Sequence, residues 1–337
     1  MTFQRLRALS ALVASLGMAL PAAALLPASP AYAAAPQLRV QAPGYYRMML
    51  GQFEITALSD GTVKVPLDKL LTSEHPEQVQ RLLTEDFQKP SQAETSINAF
   101  LINTGSKLLL VDTGAGHLFG PKVAGQLPAN IRAAGYKPED IDAVLLTHVH
   151  LDHSGGLTEA GKAVFPNADV YLSEKEADFW LHPANKAGMK ADGQSGFDQR
   201  KGFDQAQASL APYLAAGRVK TFAYGAELFP GIRAIAAPGH TPGHAFYEAQ
   251  SEGQRMQFWG DVIHAQAAQF AHPEVAIRFD VDSPAAIQLR RKALADAARQ
   301  GYWVAPAHVS FPGFGHVRRA GKAYTWVPAN YSLDGLN

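Results

Sequence analysis

One stretch constrains this chain more than any other: Thr147-His148-Val149-His150-Leu151-Asp152-His153-Ser154-Gly155-Gly156. Three histidines and a carboxylate fall within six positions, directly after the mainly apolar run 141–146, which is of strand length and short for a helix. The fold must therefore bring several polar groups to the end of a buried strand. A strand sends alternate side chains to one face, so the spacing predicts that His148, His150 and Asp152 point the same way. A sharp turn at Asp152-His153 then has to bring the neighbouring imidazole round. Such a geometry suits two adjacent metal ions better than one.

Further strand-like runs end in the same kind of group. Leu108–Val111 is followed by Asp112-Thr113-Gly114, Ile232–Ala236 by Pro238-Gly239-His240, the run 256–259 by Gly260-Asp261, and the run 302–305 by Pro306-Ala307-His308. Leaving Asp112 aside, the candidate ligands are His148, His150, Asp152, His153, His240, Asp261 and His308. Nitrogen and oxygen donors at this density suit a pair of divalent first-row ions, which activate a water and clamp the reacting group together. Asp152 and Asp261 are the carboxylates placed nearest such chemistry. The chain has no cysteine, which removes disulfides, thiolate ligands and cysteine nucleophiles. Plainer readings stand beside these: His240 as a turn histidine with His244 as rival ligand, and Asp261 and His308 as capping groups. Asp112 reads as structural, hydrogen-bonding the loop that carries the first ligands.

The wider composition limits partners. Lys plus Arg equals Asp plus Glu at 30 each, so there is no basic field for nucleic acid. Arg5 and Arg7 precede an apolar region, and Ala31-Tyr32-Ala33 before Ala34 has the small-x-small form of a cleavage site. Residues 1–33 therefore read as a secretory signal peptide. Pro21, Pro27 and Pro30 argue against a membrane anchor. Cleavage removes two bases and no acid, leaving 28 basic against 30 acidic side chains and no second membrane segment. The expectation is a secreted or periplasmic protein with one domain over residues 34–337, since no linker divides it.

In chain order, residues 45–62 read as a hairpin or meander closed by the Asp60-Gly61 turn. Residues 75–88 read as a helix burying Val79, Leu82, Leu83 and Phe87. Two apolar strands, 99–103 and 108–111, flank a hairpin turn. A helix over 121–134 is kinked or divided by Pro128. Residues 174–180 start another helix, residues 183–204 read as a mobile loop and candidate lid, and a last helix runs from Ser283, its cap, to Gln300 with Ile287, Leu294 and Ala298 on one stripe. Strands and helices alternate throughout, which favours helices packed outside stacked sheets.

The His148-Val149-His150-Leu151-Asp152-His153 motif, with His240, Asp261, His308 and Val111-Asp112-Thr113-Gly114, resembles the metallo-β-lactamase superfamily. It is similar in particular to methyl parathion hydrolase and its lactonase relatives, through Ala42-Pro43-Gly44-Tyr45-Tyr46-Arg47, Leu58-Ser59-Asp60-Gly61-Thr62, Lys175-Glu176-Ala177-Asp178-Phe179-Trp180, His240-Thr241-Pro242-Gly243-His244 and Ser310-Phe311-Pro312-Gly313. The resemblance implies an αββα sandwich and two divalent ions, zinc first, with manganese, iron or cobalt as alternatives. One ion would lie on His148, His150 and His240, the other on Asp152, His153 and His308, with Asp261 between them. It also implies a homodimer, and a substrate pocket onto which Phe119, Trp180 and Phe203 map. The roles of Trp180 and Phe119, pocket or core, stay open, as does His264 between substrate contact and wall. Leu70 stands where the organophosphate hydrolases carry Arg, His264 and Phe279 where they carry Leu, and Ile277 where they carry Thr. These differences point away from efficient phosphotriester hydrolysis and toward a flat lactone such as dihydrocoumarin or an aryl ester, opened by attack of a metal-bridging hydroxide. Acyl homoserine lactonase, phosphotriesterase and glyoxalase II-like thioesterase are the alternative activities, although no basic cluster suits a glutathione carboxylate. A flavodiiron-type redox module would want an acid at position 150, and a non-catalytic aryl-binding protein would show no turnover.

Overall fold

The computed structural model describes residues 35–188 and 199–336. In strand Leu108–Val111 the side chains alternate between two cores: Leu108 and Leu110 face one, Leu109 and Val111 the other. Strand Ala93–Asn103 repeats the division, with Leu101 on the first side and Phe100 and Ile102 on the second. Strands buried on both faces carry unbroken apolar runs, which is why these stretches were legible as strands.

Those strands belong to a seven-stranded mixed sheet ordered Tyr45–Leu50, Phe53–Val65, Ala93–Asn103, Leu108–Val111, Ala143–Leu145, Asp169–Ser173, Val219–Phe222. Its first four strands are antiparallel and its last four parallel. A second seven-stranded sheet runs Glu227–Phe229, Ile232–Ala236, Ala245–Ser251, Gln254–Gly260, Trp303–Pro306, Gly315–Ala320, Ala323–Pro328, with one parallel pair, Gln254–Gly260 beside Trp303–Pro306. Between the sheets lie Phe100, Leu109, Leu145, Tyr247, Phe258 and Phe314. Helices Glu174–Leu181 and Gln199–Ala215 cover the outer face of the first sheet, and Ser283–Gln300 covers the second. The architecture is the αββα sandwich. Phe100 sits at its centre, with ring centroids 5.4 Å from Phe258 and 5.5 Å from Phe314, a contact whose truncation to alanine costs about 3–5 kcal/mol. Residues Ala42–Asn337 form one unit, and the expected signal segment, 1–33, lies outside the described residues.

Several local expectations are corrected. Asp60-Gly61 is a bulge inside the long strand Phe53–Val65, where the buried Asp60 carboxylate accepts from Ala115 N and Leu127 N; the hairpin turns at Gly51-Gln52. Phe87 lies beyond helix Pro76–Glu85 at φ 59° and is 98% exposed, so it packs nothing inward. The 121–134 helix shrinks to Leu127–Ala133, because Pro128 fits the first turn, where its missing N–H costs nothing. The described part of the expected lid is helical, Pro183–Gly188 and the start of Gln199–Ala215, while 189–198 lie outside the described residues. Asp282, not Ser283, caps the last helix, its side chain accepting from Ala285 N. The buried stripe there is Ala286, Arg290, Ala293, Leu294 and Ala297, and Arg290 is tolerated because its guanidinium donates to the carbonyls of Val262, Pro273 and Val275.

Candidate metal centre

Every candidate ligand follows the C-terminal end of a strand, so parallel and antiparallel elements of both sheets converge at one edge. The first strand stops at Leu145, and the chain passes through Thr147–Val149 to His150, which opens the helical turn Leu151–Ser154. This overturns the simple alternation expected from the spacing. Asp152 and His153 are carried by the helical turn, and Asp152 groups with His153 and His308 rather than with His148 and His150.

Two clusters result. His148 Nε2 lies 3.1 Å from His150 Nδ1, which lies 2.9 Å from His240 Nε2, and Asp261 Oδ2 is 3.1 Å from the same His240 nitrogen. On the other side, His308 Nε2 is 3.4 Å from Asp152 Oδ2, and Asp261 Oδ1 is 2.9 Å from His153 Nε2 and 3.1 Å from His308 Nε2. Asp261 thus presents one oxygen to each cluster. Donors held about 2.0–2.1 Å from one tetrahedral ion lie about 3.3 Å apart, close to these separations. Protons alone do not complete the site: the buried His153 Nε2 and Asp261 Oδ1 make no hydrogen bond.

The outward ring nitrogens show the same fit. His148 Nδ1 meets Thr147 Oγ1 at 3.0 Å, His153 Nδ1 meets Asp112 Oδ2 at 2.8 Å, His240 Nδ1 meets Asp280 Oδ1 at 2.9 Å, and His308 Nδ1 meets the Ser96 carbonyl at 2.8 Å. Metal-ligating histidines are held in this way, their second nitrogen fixed so that the first offers a lone pair. Asp112 also accepts from Thr147 N and Oγ1, and its φ of 59° is a conformation that aspartate tolerates better than most residues. Burial opposes charge on His240, yet Asp261 and Asp280 raise its pKa to about 9; burial and His240 together lower that of His150 to about 3. Asp261 is held well below the ordinary carboxylate range, burial being outweighed by His153, His308, His264 and His148.

A model of the metallo-β-lactamase superfamily matches residues 93–308, which span all of these groups. The chain belongs to the metallo-β-lactamase superfamily. Among solved structures, the chain is similar to the hydrolase AbOPH of the β-lactamase superfamily, at 39% identity and TM-score 0.81, covering 87% of this chain and 100% of that one. It is also similar to AidC, a dizinc quorum-quenching lactonase in complex with a product, at 27% identity and TM-score 0.79, covering 86% of this chain and 98% of that one. A curated N-acyl homoserine lactonase of Bacillus thuringiensis is 24% identical over 174 residues, which are 46% of this chain and 59% of that protein. The chain spans 36% of another curated relative, a ribonuclease of Thermus thermophilus, 29% identical over 171 residues.

In this superfamily member a cavity of about 480 Å³ opens beside the two clusters, with Asp152, Asp261 and His308 on its floor. Leu70, Phe119, His264, Ile277 and Phe279 line it, and so do Lys201, Gly202 and Gln205 of the helix that the sequence hid. Trp180 and Phe203 do not. Both are buried in the core under the helices, 2% and 1% exposed, because their helices turn these rings onto the first sheet. Trp180 instead stands edge-on to the His150 ring, centroids 5.3 Å apart. His264 is buried, its Nε2 3.0 Å from Asp261 Oδ2, and its backbone N–H donates to Gln269 Oε1. His244 lies behind the two clusters, where its Nε2 accepts from Asp261 N, and it belongs to neither of them.

Three supporting residues were not singled out in the sequence. Asp280 anchors His240, Arg290 ties Val262 beside Asp261 to the segment bearing Ile277, and Glu176 sits wholly buried between the loops of His150 and His240. Ser173-x-x-Glu176 has the spacing of a capping box, a local signal that explains the glutamate without any site. Ser173 does accept from Glu176 N, but the Glu176 carboxylate turns inward.

Proposed function

We propose that this chain is a metal-dependent hydrolase that opens lactones, aryl lactones such as dihydrocoumarin or aryl esters foremost. The carrying observation is Asp261, whose two oxygens face two separate histidine clusters at the floor of an apolar cavity. His148, His150 and His240 would hold one ion, and Asp152, His153 and His308 the other. Bound there, divalent ions supply a water of lowered pKa and stabilise charge developing on the attacked oxygen. Zinc is the ion we propose, although the same donors accept manganese, iron or cobalt.

The protein's own part is to position and to exclude water. Leu70, Ile277 and Phe279 offer flat apolar walls to an aryl ring, and Phe119, 41% exposed, stands at the mouth. Asp152, its side chain 29% exposed, is open to the cavity and is placed to relay a proton after ring opening, secondary to its role as a ligand. Within the superfamily we place the chain beside methyl parathion hydrolase and its lactonase relatives, on the motifs given above. Ile277 and Phe279 crowd the floor against a tetrahedral phosphotriester, so organophosphate hydrolysis is weak in this reading. Acyl homoserine lactones are the second reading, favoured by the likeness to AidC. Steady-state kinetics of the metal-loaded protein on dihydrocoumarin, an acyl homoserine lactone, a β-lactam and methyl parathion test the proposal. Highest kcat/KM on either of the last two would overturn it, and preference for the acyl homoserine lactone would select the second reading.

We also propose export to the periplasm or medium and a homodimeric assembly. N-terminal sequencing should find Ala34 first, and light scattering should give twice the chain mass. Among the described residues, no helix is long and apolar enough to cross a membrane.

A further inference from the structure

Glu176 is 0% exposed and accepts four hydrogen bonds, three from two other segments and one from Trp180 on its own helix. Its Oε1 takes Val149 N at 2.9 Å and Trp180 Nε1 at 2.7 Å, and its Oε2 takes Thr241 Oγ1 at 2.7 Å and Gly243 N at 3.0 Å. Val149 lies between His148 and His150, and Thr241 follows His240. One oxygen therefore fixes the loop bearing the first two histidines, while the other fixes the loop bearing the third. Gly243 makes the approach possible, since a Cβ there would lie 2.0 Å from Glu176 N. Trp180, donating to the same carboxylate, braces the His150 ring from outside. No comparable link joins Glu176 to Asp152, His153 or His308.

We propose that Glu176 is a positioning residue that locks the His148-His150 loop to the His240 loop, setting the affinity of that one metal station and leaving the other largely alone. The inference rests on the metal-centre reading above. A buried carboxylate suits the task because two oxygens can accept four donors, which an amide cannot. In Glu176→Gln the single oxygen can keep Val149 and Trp180. The Thr241 hydroxyl can then rotate to accept from the new amide, but Gly243 N–H is left facing a second donor. The His240 loop is the one released.

Stepwise cobalt titration of the metal-free full chain, followed by d–d absorption and Trp fluorescence, tests this. Wild type should bind two ions, and His240→Ala identifies which dissociation constant belongs to the His148-His150-His240 station. Glu176→Gln should weaken that station about 10-fold and Glu176→Ala about 10- to 100-fold, the scale of lost outer-sphere support, with the second constant changed less than about 3-fold. Glu176→Gln, which keeps the side-chain volume, decides the matter if the alanine variant does not fold. Equal weakening of both stations would mean general destabilisation and overturn the proposal, as would two undiminished stations in Glu176→Gln. Wild type that takes up no cobalt would refute the metal-centre reading, and this inference with it.

Discussion

Gly156 offers the sharpest single perturbation, because the reason for glycine there is purely steric. A Cβ at this position would lie 1.9 Å from the Thr113 carbonyl oxygen, a backbone atom that cannot swing aside. Relieving the contact to 3.0 Å requires the two segments to part by roughly 1 Å, and they are joined by several bonds. Gly156 N donates to Gly114 O at 3.0 Å, and Thr113 N and Oγ1 both donate to His153 O, at 2.7 and 2.8 Å. Stretching three such bonds at about 1 kcal/mol each predicts that Gly156→Ala loses about 3 kcal/mol. For a domain of this size that is a fall in Tm of roughly 6 °C. The same parting pulls His153 from Asp112, now 2.8 Å away, so cobalt affinity at the Asp152-His153-His308 station should fall together with stability. Thermal unfolding by circular dichroism, with and without metal, reads the first effect, and metal titration reads the second. A folded Gly156→Ala protein with Tm within about 1 °C of wild type and two unchanged metal constants would refute the packing argument.

Other consequences can be checked alongside. Asp280→Ala removes the acceptor that fixes the His240 ring and should weaken metal binding about 10- to 100-fold, read by competition with a chromophoric chelator; an unchanged constant would contradict the role assigned to it. Phe279→Ala should raise KM for dihydrocoumarin about 5- to 30-fold with kcat changed less, since the ring offers contact area rather than chemistry, and a fall in kcat alone would contradict that. Burial would raise the Asp142 pKa, but Lys107 Nζ at 2.7 Å and Leu108 N at 2.8 Å hold it below the ordinary 3.8. Its contribution to stability is therefore complete above that value and is lost as pH falls through the lowered one. The stability gap between wild type and Asp142→Asn, followed by urea unfolding, should accordingly stay constant from about pH 7 to 5 and close below about pH 4; a gap independent of pH would contradict the pairing.

What was legible in the sequence were features that short segments carry by themselves. Apolar runs such as Leu108–Val111, buried on both faces, announced their strands, and the polar groups that follow them announced the site. Five histidines and two aspartates, brought together from four separate segments, could be collected before any topology was known. Features set by tertiary partners were not legible. Asp60-Gly61 has the composition of a turn, but Asp60 is satisfied by amides from residues 115 and 127, so the strand continues through it. Helix Gln199–Ala215 begins in a polar, glycine-bearing stretch whose few apolar residues, Phe203 among them, gain their burial only against the first sheet. Phe203 maps to the pocket in the sequence and Trp180 stays open between pocket and core for the same reason: sequence gives the aromatic ring but not the face it is turned to. Asp280 and Glu176 have no spacing that ties them to the candidate ligands beside them, and only the folded chain brings them there.

Lactone opening should depend directly on metal occupancy. Initial rates on dihydrocoumarin, measured while zinc is titrated into the chelator-stripped chain, test it in one experiment. The rate should be negligible without metal, rise to a break at two ions per chain, and vanish again on adding chelator. Turnover that survives in the stripped protein, or a break at one ion, would contradict a two-ion centre bridged by Asp261.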